Sequence, residues 1–274
     1  MPVGLLGLAR AGIIGTHEGA SVTRVIAVCN QKGGVGKTTT AVNVAACLAE
    51  AGAPVLLIDL DPQANASGGL GVRVEEPIAS TYAVLSGVRD LAAVVTSTVV
   101  ANLALAPSCA DLAGAVVELG DADDKEYVLR RALDGRLQAY DYVFIDCPPS
   151  LGLLTINALG AAHEIIVPVQ AEYYALEGLA QLLHTIALVR EHLNPDLRIL
   201  GVLLTMLDGR TNLGKEVAAE VRKHLGAQVF DTIVPRNVRL GEAPSHGVPI
   251  SRYDASCAGC DAYFDLAKEV VSRA

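Results

Sequence analysis

Two lysines and a run of threonines lie close together within residues 30–40, which read Asn-Gln-Lys-Gly-Gly-Val-Gly-Lys-Thr-Thr-Thr. The apolar residues 25–28 before this stretch predict a buried strand, and residues 41–49 after it have the spacing of a helix. The glycines therefore lie on a strand-to-helix turn, where they let the backbone approach a ligand without Cβ clashes. Loop N–H groups and the helix N-terminus point at anionic oxygens in that arrangement, so the stretch predicts a phosphate-binding loop.

The side chains of this loop can each contact a different part of a bound nucleotide. Lys37 supplies a positive charge for the β- and γ-phosphates, the Thr38 hydroxyl can ligate Mg²⁺, and Thr39 can reach the α-phosphate. A glycine-rich turn with two solvated lysines is the alternative, but it does not account for the threonines or the flanking strand and helix. The predicted nucleotide-binding residues of the loop are Gly33, Gly34, Val35, Gly36, Lys37, Thr38 and Thr39.

The loop departs from the standard phosphate-binding motif at its front. The pattern G-x-x-x-x-G-K-[ST] requires glycine at position 31, where this chain has Gln31, and a second lysine follows at Lys32. This resembles the deviant Walker A motif, K-G-G-x-G-K-[ST], of the ParA/MinD group of ATPases. In that group the front lysine reaches across a dimer interface to the partner's nucleotide. The resemblance implies ATP and Mg²⁺ as cofactors and a catalytic role for both Lys32 and Lys37.

Two further predicted strands end in carboxylates. Residues 56–58 are followed by Asp59 and Asp61, and residues 142–145 are followed by Asp146. Ligands of open α/β sheets bind at the carboxyl ends of the strands, so these acids are expected near the loop. An apolar strand that ends in Asp146 is the Walker B pattern, in which the acid holds Mg²⁺ through water.

Both carboxylate segments continue into motifs that resemble ParA proteins. The Asp-x-Asp-Pro-Gln element resembles switch I, in which the second acid, here Asp61, positions or activates the attacking water and Asp59 lies nearer the Mg²⁺ shell. The Asp-x-Pro-Pro element at Asp146 resembles switch II. The alternative for the first pair is that both acids simply cap a strand end. Residues 64–71 are small and glycine-rich, and we expect a mobile switch there. The implied metal residues are Thr38, Asp59 and Asp146, and the implied catalytic residues are Lys32, Lys37, Asp61 and Asp146.

The elements that position these residues alternate between strands and helices. This order predicts an α/β fold, a mostly parallel twisted sheet with helices on both faces. The apolar run at 5–9 is short for a signal peptide, and no basic segment precedes it. Residues 1–22 are therefore expected to form a loose tail, and residues 23–274 a single ATPase domain. Further strands are predicted at 103–107, 165–170, 199–206 and 232–235, and further helices at 81–85, 112–119, 127–137, from 175 to about 193, from about 211 to 224, and at 263–271.

Composition limits the classes of partner. The chain has 274 residues and a net charge of −9, which disfavours binding to nucleic acid or anionic membrane except through a local basic patch. Residues 190–274 hold 11 Lys and Arg against 11 Asp and Glu, so basic residues are relatively enriched there. No segment reaches the roughly 18 unbroken apolar residues of a membrane span.

The six cysteines are scattered and predict no disulfide framework. Cys29 and Cys147 are expected within core strands, where cysteine acts as a small hydrophobic residue. The Cys257-x-x-Cys260 pair has no second pair and no neighbouring histidines, which argues against a zinc or redox centre. A reducing cytosol fits this usage.

The run Pro-Val-Gln-Ala-Glu-Tyr-Tyr-Ala-Leu-Glu-Gly at 168–178 closely matches chromosomal ParA (Soj) proteins, and the resemblance extends over residues 24–272. It implies that Pro235 and Asn237 lie against the adenine and that Arg210 and Arg239 lie on the DNA-binding face of an ATP-bound dimer. Arginine suits phosphate contact, although a lone surface arginine on an acidic protein would otherwise be read as solvated.

The function implied is chromosome or plasmid partition. An ATP-bound sandwich homodimer would bind DNA non-specifically, on the nucleoid in the cytoplasm, and ATP hydrolysis stimulated by a ParB (Spo0J)-type centromere-binding protein would reset it. No membrane partner is expected.

Three alternatives remain open at this stage. A MinD-like membrane-cycling ATPase needs a basic amphipathic C-terminal helix, and residues 267–274 are short and not notably basic. An iron–sulfur reductase of the nitrogenase iron-protein type needs interface cysteines, whereas Cys147 directly follows the Walker B acid. A purely structural DNA binder would not need the catalytic lysines and aspartates.

Overall fold

The computed structural model describes residues 22–120, 123–172, 175–208 and 211–273, and it leaves the side chains of 175–177 and 213 undescribed. The predicted N-terminal tail, apart from its last residue, and the predicted DNA contact Arg210 therefore lie outside the described residues.

An eight-stranded sheet runs through the described chain in the order β3-β4-β2-β5-β1-β6-β7-β8. Neighbouring strands pair in parallel except β3 and β4, which are antiparallel. The predicted mostly parallel α/β fold is confirmed. The strands are β1 Arg24–Val28, β2 Val55–Asp59, β3 Thr96–Ser97, β4 Leu103–Ala106, β5 Tyr142–Asp146, β6 Glu164–Gln170, β7 Arg198–Leu207 and β8 Val229–Pro235.

Helices connect the strands and cover the sheet, and most of the longer ones are predicted by the sequence pattern. The α-helices are α1 Lys37–Glu50, α2 Asn65–Gly69, α3 Thr81–Leu85, α4 Leu91–Val94, α5 Leu112–Glu118, α6 Val128–Leu133, α7 Leu153–Ala161, α8 Ala175–His192, α9 Asn212–Leu225, α10 Val238–Glu242, α11 Ile250–Tyr253 and α12 Ala258–Ser272, with 3₁₀ turns at 77–79, 125–127, 226–228 and 243–246.

Among the differences from the sequence prediction, two have identifiable reasons. The helix predicted over 127–137 ends at Leu133, because Gly135 has a φ of 65° and a right-handed helix cannot continue through it. Helix α7 was not predicted, since residues 153–161 are apolar on nearly every side and show no amphipathic period.

The side chains of β1 alternate between two hydrophobic cores, one on each face of the sheet. Val25 and Ala27 pack in the core that includes residues of α7, α8 and α9, whereas Ile26 and Val28 pack in the core that includes α1 and α12. Helices therefore cover both faces, as predicted. Within the described ranges, no helix is both long and apolar enough to cross a membrane.

Strand register brings the predicted acids to one edge of the sheet. Asp59 at the end of β2 and Val28 at the end of β1 are both in register with Asp146 at the end of β5. The prediction that Cys29 and Cys147 lie within core strands is wrong by one residue, because β1 and β5 end immediately before them. Both cysteines are nevertheless completely buried.

Candidate nucleotide-binding site

The predicted phosphate-binding loop connects β1 to α1, and helix α1 begins at Lys37. Gly34 and Gly36 have φ values of 74° and 88°, a left-handed conformation that side chains with a Cβ rarely adopt. The Thr205 hydroxyl at the end of β7 donates a 2.8 Å hydrogen bond to the carbonyl oxygen of Val35. The loop is therefore fixed by its own backbone and by a neighbouring strand.

The two lysines of the loop have different environments. Lys37 is buried, and its Nζ donates a 2.9 Å hydrogen bond to the carbonyl oxygen of Lys32, across the loop. Burial lowers the pKa of Lys37, and the nearby negative charge of Asp146 opposes that shift. The Lys32 side chain is 43% exposed and forms an ion pair with Glu172. Only Lys37 is therefore directed into its own loop.

Thr38 and Asp146 form the candidate metal site. Thr38 Oγ1 donates a 2.7 Å hydrogen bond to Oδ2 of Asp146, while Oδ1 of Asp146 is buried and has no hydrogen-bond partner among the described residues. Burial raises the pKa of Asp146 well above its usual range, and the negative charge of Asp59 raises it further. A hydroxyl and a buried carboxylate oxygen without a partner are ligands that suit Mg²⁺, so these residues fit the expected ion.

Asp59 has a different set of contacts from the one predicted for a metal residue. Its Oδ1 accepts a hydrogen bond from the Asp61 amide at 3.1 Å, and its Oδ2 accepts from the Ser67 amide and hydroxyl at 2.8 and 2.7 Å. Burial raises its pKa to about 6. In this structure Asp59 therefore ties the chain that follows β2 to the sheet, and its role at the metal stays a prediction.

Asp61 lies beside the loop and lines the cavity described below. It is buried, and its Oδ1 accepts a 2.9 Å hydrogen bond from the Gln63 amide. The following residues form the short helix α2, which Ala64 introduces with a left-handed φ of 51°. The expected switch segment thus has regular structure, and Ser67 anchors it to Asp59.

A cavity of about 370 Å³ lies between the loop, the switch segment and residues 243–250. Its volume is within the range of small-molecule sites. Its lining combines six of the seven predicted phosphate-binding residues, all except the buried Val35, with an apolar wall at residues 243–250. The lining residues are Gly33, Gly34, Gly36, Lys37, Thr38, Thr39, Val42, Asn43, Asp61, Asn65, Gly69, Pro149, Met206, Ala243, Pro244, Val248, Pro249 and Ile250.

The predicted adenine contacts lie outside this cavity lining. Pro235 is in register with Leu207 at the end of the sheet, and Asn237 caps α10 by accepting a 2.9 Å hydrogen bond from the Arg239 amide. Their contact with a base stays a prediction.

The predicted DNA contact Arg239 is exposed but already paired with two acids. Its Nη1 lies 2.8 Å from Glu242 and its Nε lies 3.4 Å from Asp254. A DNA phosphate would have to compete with both carboxylates for this guanidinium.

Several polar residues of the site were missed at the level of sequence. Asn43 donates a 2.7 Å hydrogen bond to the Thr39 carbonyl and accepts one of 2.8 Å from the Ile250 amide, which joins α1 to the cavity wall. Asn30 donates to the Pro168 carbonyl at 2.7 Å. A buried asparagine in an otherwise apolar segment is a usable signal, because such groups need hydrogen-bond partners. The same reasoning applies to Ser67 and Thr205.

The fold and this site define a P-loop ATPase of the deviant Walker A type. The family model described as an AAA domain matches residues 23–199. The chain is 55% identical to the sporulation initiation inhibitor protein Soj of Bacillus subtilis over 250 residues, 91% of this chain and 99% of that one. It is 50% identical to the chromosome partitioning protein ParA of Caulobacter vibrioides over 257 residues, 93% of this chain and 96% of that one. The chain belongs to the ParA/Soj family of chromosome-partitioning ATPases.

Solved structures agree with this assignment at the level of fold. A Mycobacterium smegmatis protein, named as a cobyrinic acid a,c-diamide synthase with a bound ATP analogue and magnesium, is 40% identical, with a TM-score of 0.77 over 90% of this chain and 93% of that one. The cell division ATPase MinD of Pyrococcus furiosus is 26% identical, with a TM-score of 0.77 over 92% of this chain and 100% of that one.

Proposed function

We propose that this chain is a DNA-partitioning ATPase of the cytoplasm and nucleoid, with residues 23–274 acting as one ATPase domain and ATP and Mg²⁺ as its cofactors. Membership of the ParA/Soj family supports ATP hydrolysis, and the Thr38–Asp146 pair supports binding of Mg²⁺. Bound Mg²⁺ neutralises phosphate charge and orients the phosphates. Lys37 and the loop amides bind the β- and γ-phosphates, and Asp61 holds the attacking water.

The observation that carries the proposal is the separation of the two loop lysines. Lys37 is buried in its own loop, whereas the Lys32 side chain is about half exposed and, within the described ranges, pairs with the partly exposed Glu172. A partly exposed ion pair of this kind contributes little free energy, so Lys32 can exchange Glu172 for a phosphate of a second copy. This supports a homodimer that forms in the ATP state.

DNA binding and stimulation by a ParB-type partner complete the proposed cycle. The relative named as a chromosome partitioning protein supports a role on DNA, and stimulation by a partner protein is proposed together with it. A chain with a net charge of −9 needs a local basic patch for DNA, and dimerisation doubles such a patch on one face. Arg239 and Arg210 are the proposed contacts.

The decisive experiment measures DNA binding by the same protein with ATP, with ADP and without nucleotide. We expect ATP-dependent, sequence-independent binding that weakens steeply with salt, because counterion release sets the salt dependence. Equal binding in all three conditions would leave a structural DNA binder as the better explanation.

A membrane-cycling function is less well supported. Helix α12 buries its apolar face against the sheet and α1, with Tyr263, Leu266 and Val270 in the core. Membrane insertion would require that face to leave the core. The absence of binding to anionic vesicles in ATP would support the partition proposal over the MinD-like one.

An iron–sulfur function is also less well supported. Cys147 is completely buried, and burial raises its pKa well above the usual range, which disfavours the thiolate that a cluster needs.

A further inference from the structure

Two glycines from distant parts of the sequence bring their backbones into direct contact beside the cavity. A Cβ on Gly247 would lie 2.7 Å from Cα of Gly71 and 3.1 Å from its amide nitrogen, and a Cβ on Gly71 would lie 3.1 Å from the carbonyl oxygen of Gly247. Both residues have left-handed φ values, 74° and 66°. Neither position can accept a larger residue without movement of one backbone or the other.

Each glycine lies in a segment that lines the cavity. Gly71 is the last residue of the switch segment, residues 64–71, in which Asn65 and Gly69 line the cavity, and Asp61 lines it just before that segment. Gly247 lies within residues 243–250, which form the apolar wall of the same cavity. A nucleotide in this cavity would therefore lie against both segments at once.

Each of the two segments is also fixed to another element of the fold, so a movement of one segment can reach the other through the glycine contact. The wall is tied to α1, because the Ile250 amide donates to Asn43 at 2.8 Å. The switch segment is tied to β2, because the Ser67 hydroxyl and amide donate to Asp59. Beyond these anchors, wall and switch segment meet where Gly71 contacts Gly247. They also approach each other where an added Cβ on Gly247 would lie 3.9 Å from the Gly68 carbonyl oxygen and one on Gly69 would lie 3.8 Å from Pro244.

We propose that the Gly71–Gly247 contact is a positioning contact for hydrolysis, through which the cavity wall sets the position of the switch segment and so of Asp61. A nucleotide in contact with residues 243–250 would then change the position of Asp61, which is far from those residues in the sequence. The inference rests on the proposed function, since it requires ATP hydrolysis in this cavity. Gly71 and Gly247 are positioning residues here, because neither lines the cavity itself.

The test compares Gly247→Ala and Gly71→Ala with Gly87→Ala. Gly87 also has a left-handed φ, 72°, but a Cβ there would meet nothing within 4 Å, so this variant introduces the backbone strain without the clash. We expect Gly247→Ala to lower kcat by about 10- to 100-fold, because a misplacement of about 1 Å costs that much in rate. The KM for ATP and the affinity for a fluorescent ATP analogue should change by less than about threefold, because the phosphate loop is untouched.

Two further results are expected if the contact is a single coupled unit. Gly71→Ala should lower kcat in the same way, and the loss in the double variant should differ from the product of the two single losses, because residues in one contact are not additive. Gly87→Ala should keep wild-type kcat. Thermal unfolding and circular dichroism establish that each variant is folded. If Gly247→Ala does not fold, Gly71→Ala carries the test, since its Cβ meets an oxygen at 3.1 Å rather than a Cα at 2.7 Å.

The outcomes separate this inference from the function on which it rests. A wild-type protein without ATPase activity would overturn both. An active wild type with normal kcat in both glycine variants would overturn the positioning role alone. Equal loss of nucleotide affinity and of turnover, or loss of folding in both variants, would assign the contact to the architecture of the wall and overturn the inference as well.

Discussion

Thr38 donates a 2.7 Å hydrogen bond to one oxygen of Asp146, and the other oxygen of that carboxylate is buried with no hydrogen-bond partner in the part of the chain that the structure describes. Asp59 ends the neighbouring strand in register with Asp146, and the pKa of each acid is raised, first by burial and then by nearby negative charge. A buried group of acids of this kind is expected to be stabilised by a cation.

The first prediction follows from these pKa shifts. A carboxyl group whose pKa is raised on folding stabilises the folded state at pH values below its unfolded pKa. This contribution to stability is lost as pH rises through the folded pKa, which for Asp59 means between 3.8 and about 6. Mg²⁺ binds the ionised carboxylate, so the stability that Mg²⁺ adds should be larger at higher pH, where more of the carboxylate is ionised. The increase in unfolding temperature caused by Mg²⁺ with an ATP analogue should therefore be larger at pH 7 than at pH 5.

The matched control for this experiment is the nucleotide with a chelator in place of Mg²⁺. Asp146→Asn should lose most of the metal-dependent increase at both pH values while its amide oxygen still accepts the Thr38 hydroxyl. A metal-dependent increase as large at pH 5 as at pH 7 would contradict the assignment.

Lys37→Ala tests the phosphate-binding loop. The variant loses the buried cation of the loop, and charge-assisted hydrogen bonds of this kind are worth about 10- to 100-fold in affinity. Nucleotide binding should fall by at least that factor, and ATP-dependent DNA binding should be lost with it. Calorimetry with an ATP analogue measures the first effect, and Lys268→Ala, an exposed lysine on α12, is the control. Wild-type affinity in Lys37→Ala would show that the loop has been misassigned.

Asp61→Ala tests the proposed water-positioning acid. The phosphate loop is unchanged in this variant, so ATP binding should persist while turnover falls by about 100-fold or more. The protein should accumulate as an ATP-bound dimer on DNA, which gel filtration and a DNA-binding assay with ATP can detect. Normal turnover would move the catalytic role elsewhere, with Asp146 as the next candidate.

Much of the fold and of the loop could be predicted from the sequence because both depend on local patterns. The apolar runs that become β2 and β5 are short and bounded by proline or aspartate, and the run that becomes β1 leads into the glycine-rich loop. Strand neighbours in a parallel sheet bring their carboxyl ends together. The places of Lys37, Thr38, Asp61 and Asp146 follow from this arrangement.

The remaining features of the site depend on contacts between segments far apart in sequence. Nothing local to Gly71 or Gly247 indicates that the two backbones touch, and nothing local to Asn43 indicates that it accepts a hydrogen bond from Ile250. The pairing of Arg239 with Asp254 could not be predicted from the local sequence for the same reason. Resemblance to a family supplies residue roles, but it does not supply the partners that each residue has in this chain.

Lys32→Ala tests the proposed contribution of one subunit to the other's site. Lys32 is partly exposed and paired with Glu172, so its loss should leave nucleotide binding by the monomer nearly intact. The ATP-dependent dimer should disappear, because the charge that reaches the partner's phosphates is gone. Gel filtration with a non-hydrolysable ATP analogue decides the question.

Glu172→Gln is the matched control for Lys32→Ala, since it breaks the same ion pair from the other side. It should leave dimerisation intact, because Lys32 keeps its charge and loses only a weak, exposed partner. A wild-type dimer peak in Lys32→Ala would count against the cross-subunit role. Loss of the dimer in Glu172→Gln would instead mean that the ion pair itself supports the interface.

Arg239→Glu and Arg210→Glu test the proposed DNA-binding face. A chain with a net charge of −9 can hold DNA only through a small patch, so a charge reversal that removes one phosphate contact per subunit should weaken binding strongly. Each reversal should also lower the slope of log affinity against log salt concentration by about 2 for the dimer. ATP-dependent dimerisation and ATPase activity without DNA should persist.

The two acids beside Arg239 allow a sharper version of this experiment. Glu242 and Asp254 lie 2.8 and 3.4 Å from its guanidinium, so a DNA phosphate must compete with them. Glu242→Gln removes one competitor and should leave DNA binding equal or stronger, whereas Arg239→Glu weakens it. If both reversals bind DNA as well as the wild type at moderate salt, the patch lies elsewhere, with Lys215, Arg222 and Lys223 as the next candidates. If Glu242→Gln weakens binding as much as Arg239→Glu, the ion pair orients α10 and Arg239 does not contact phosphate directly.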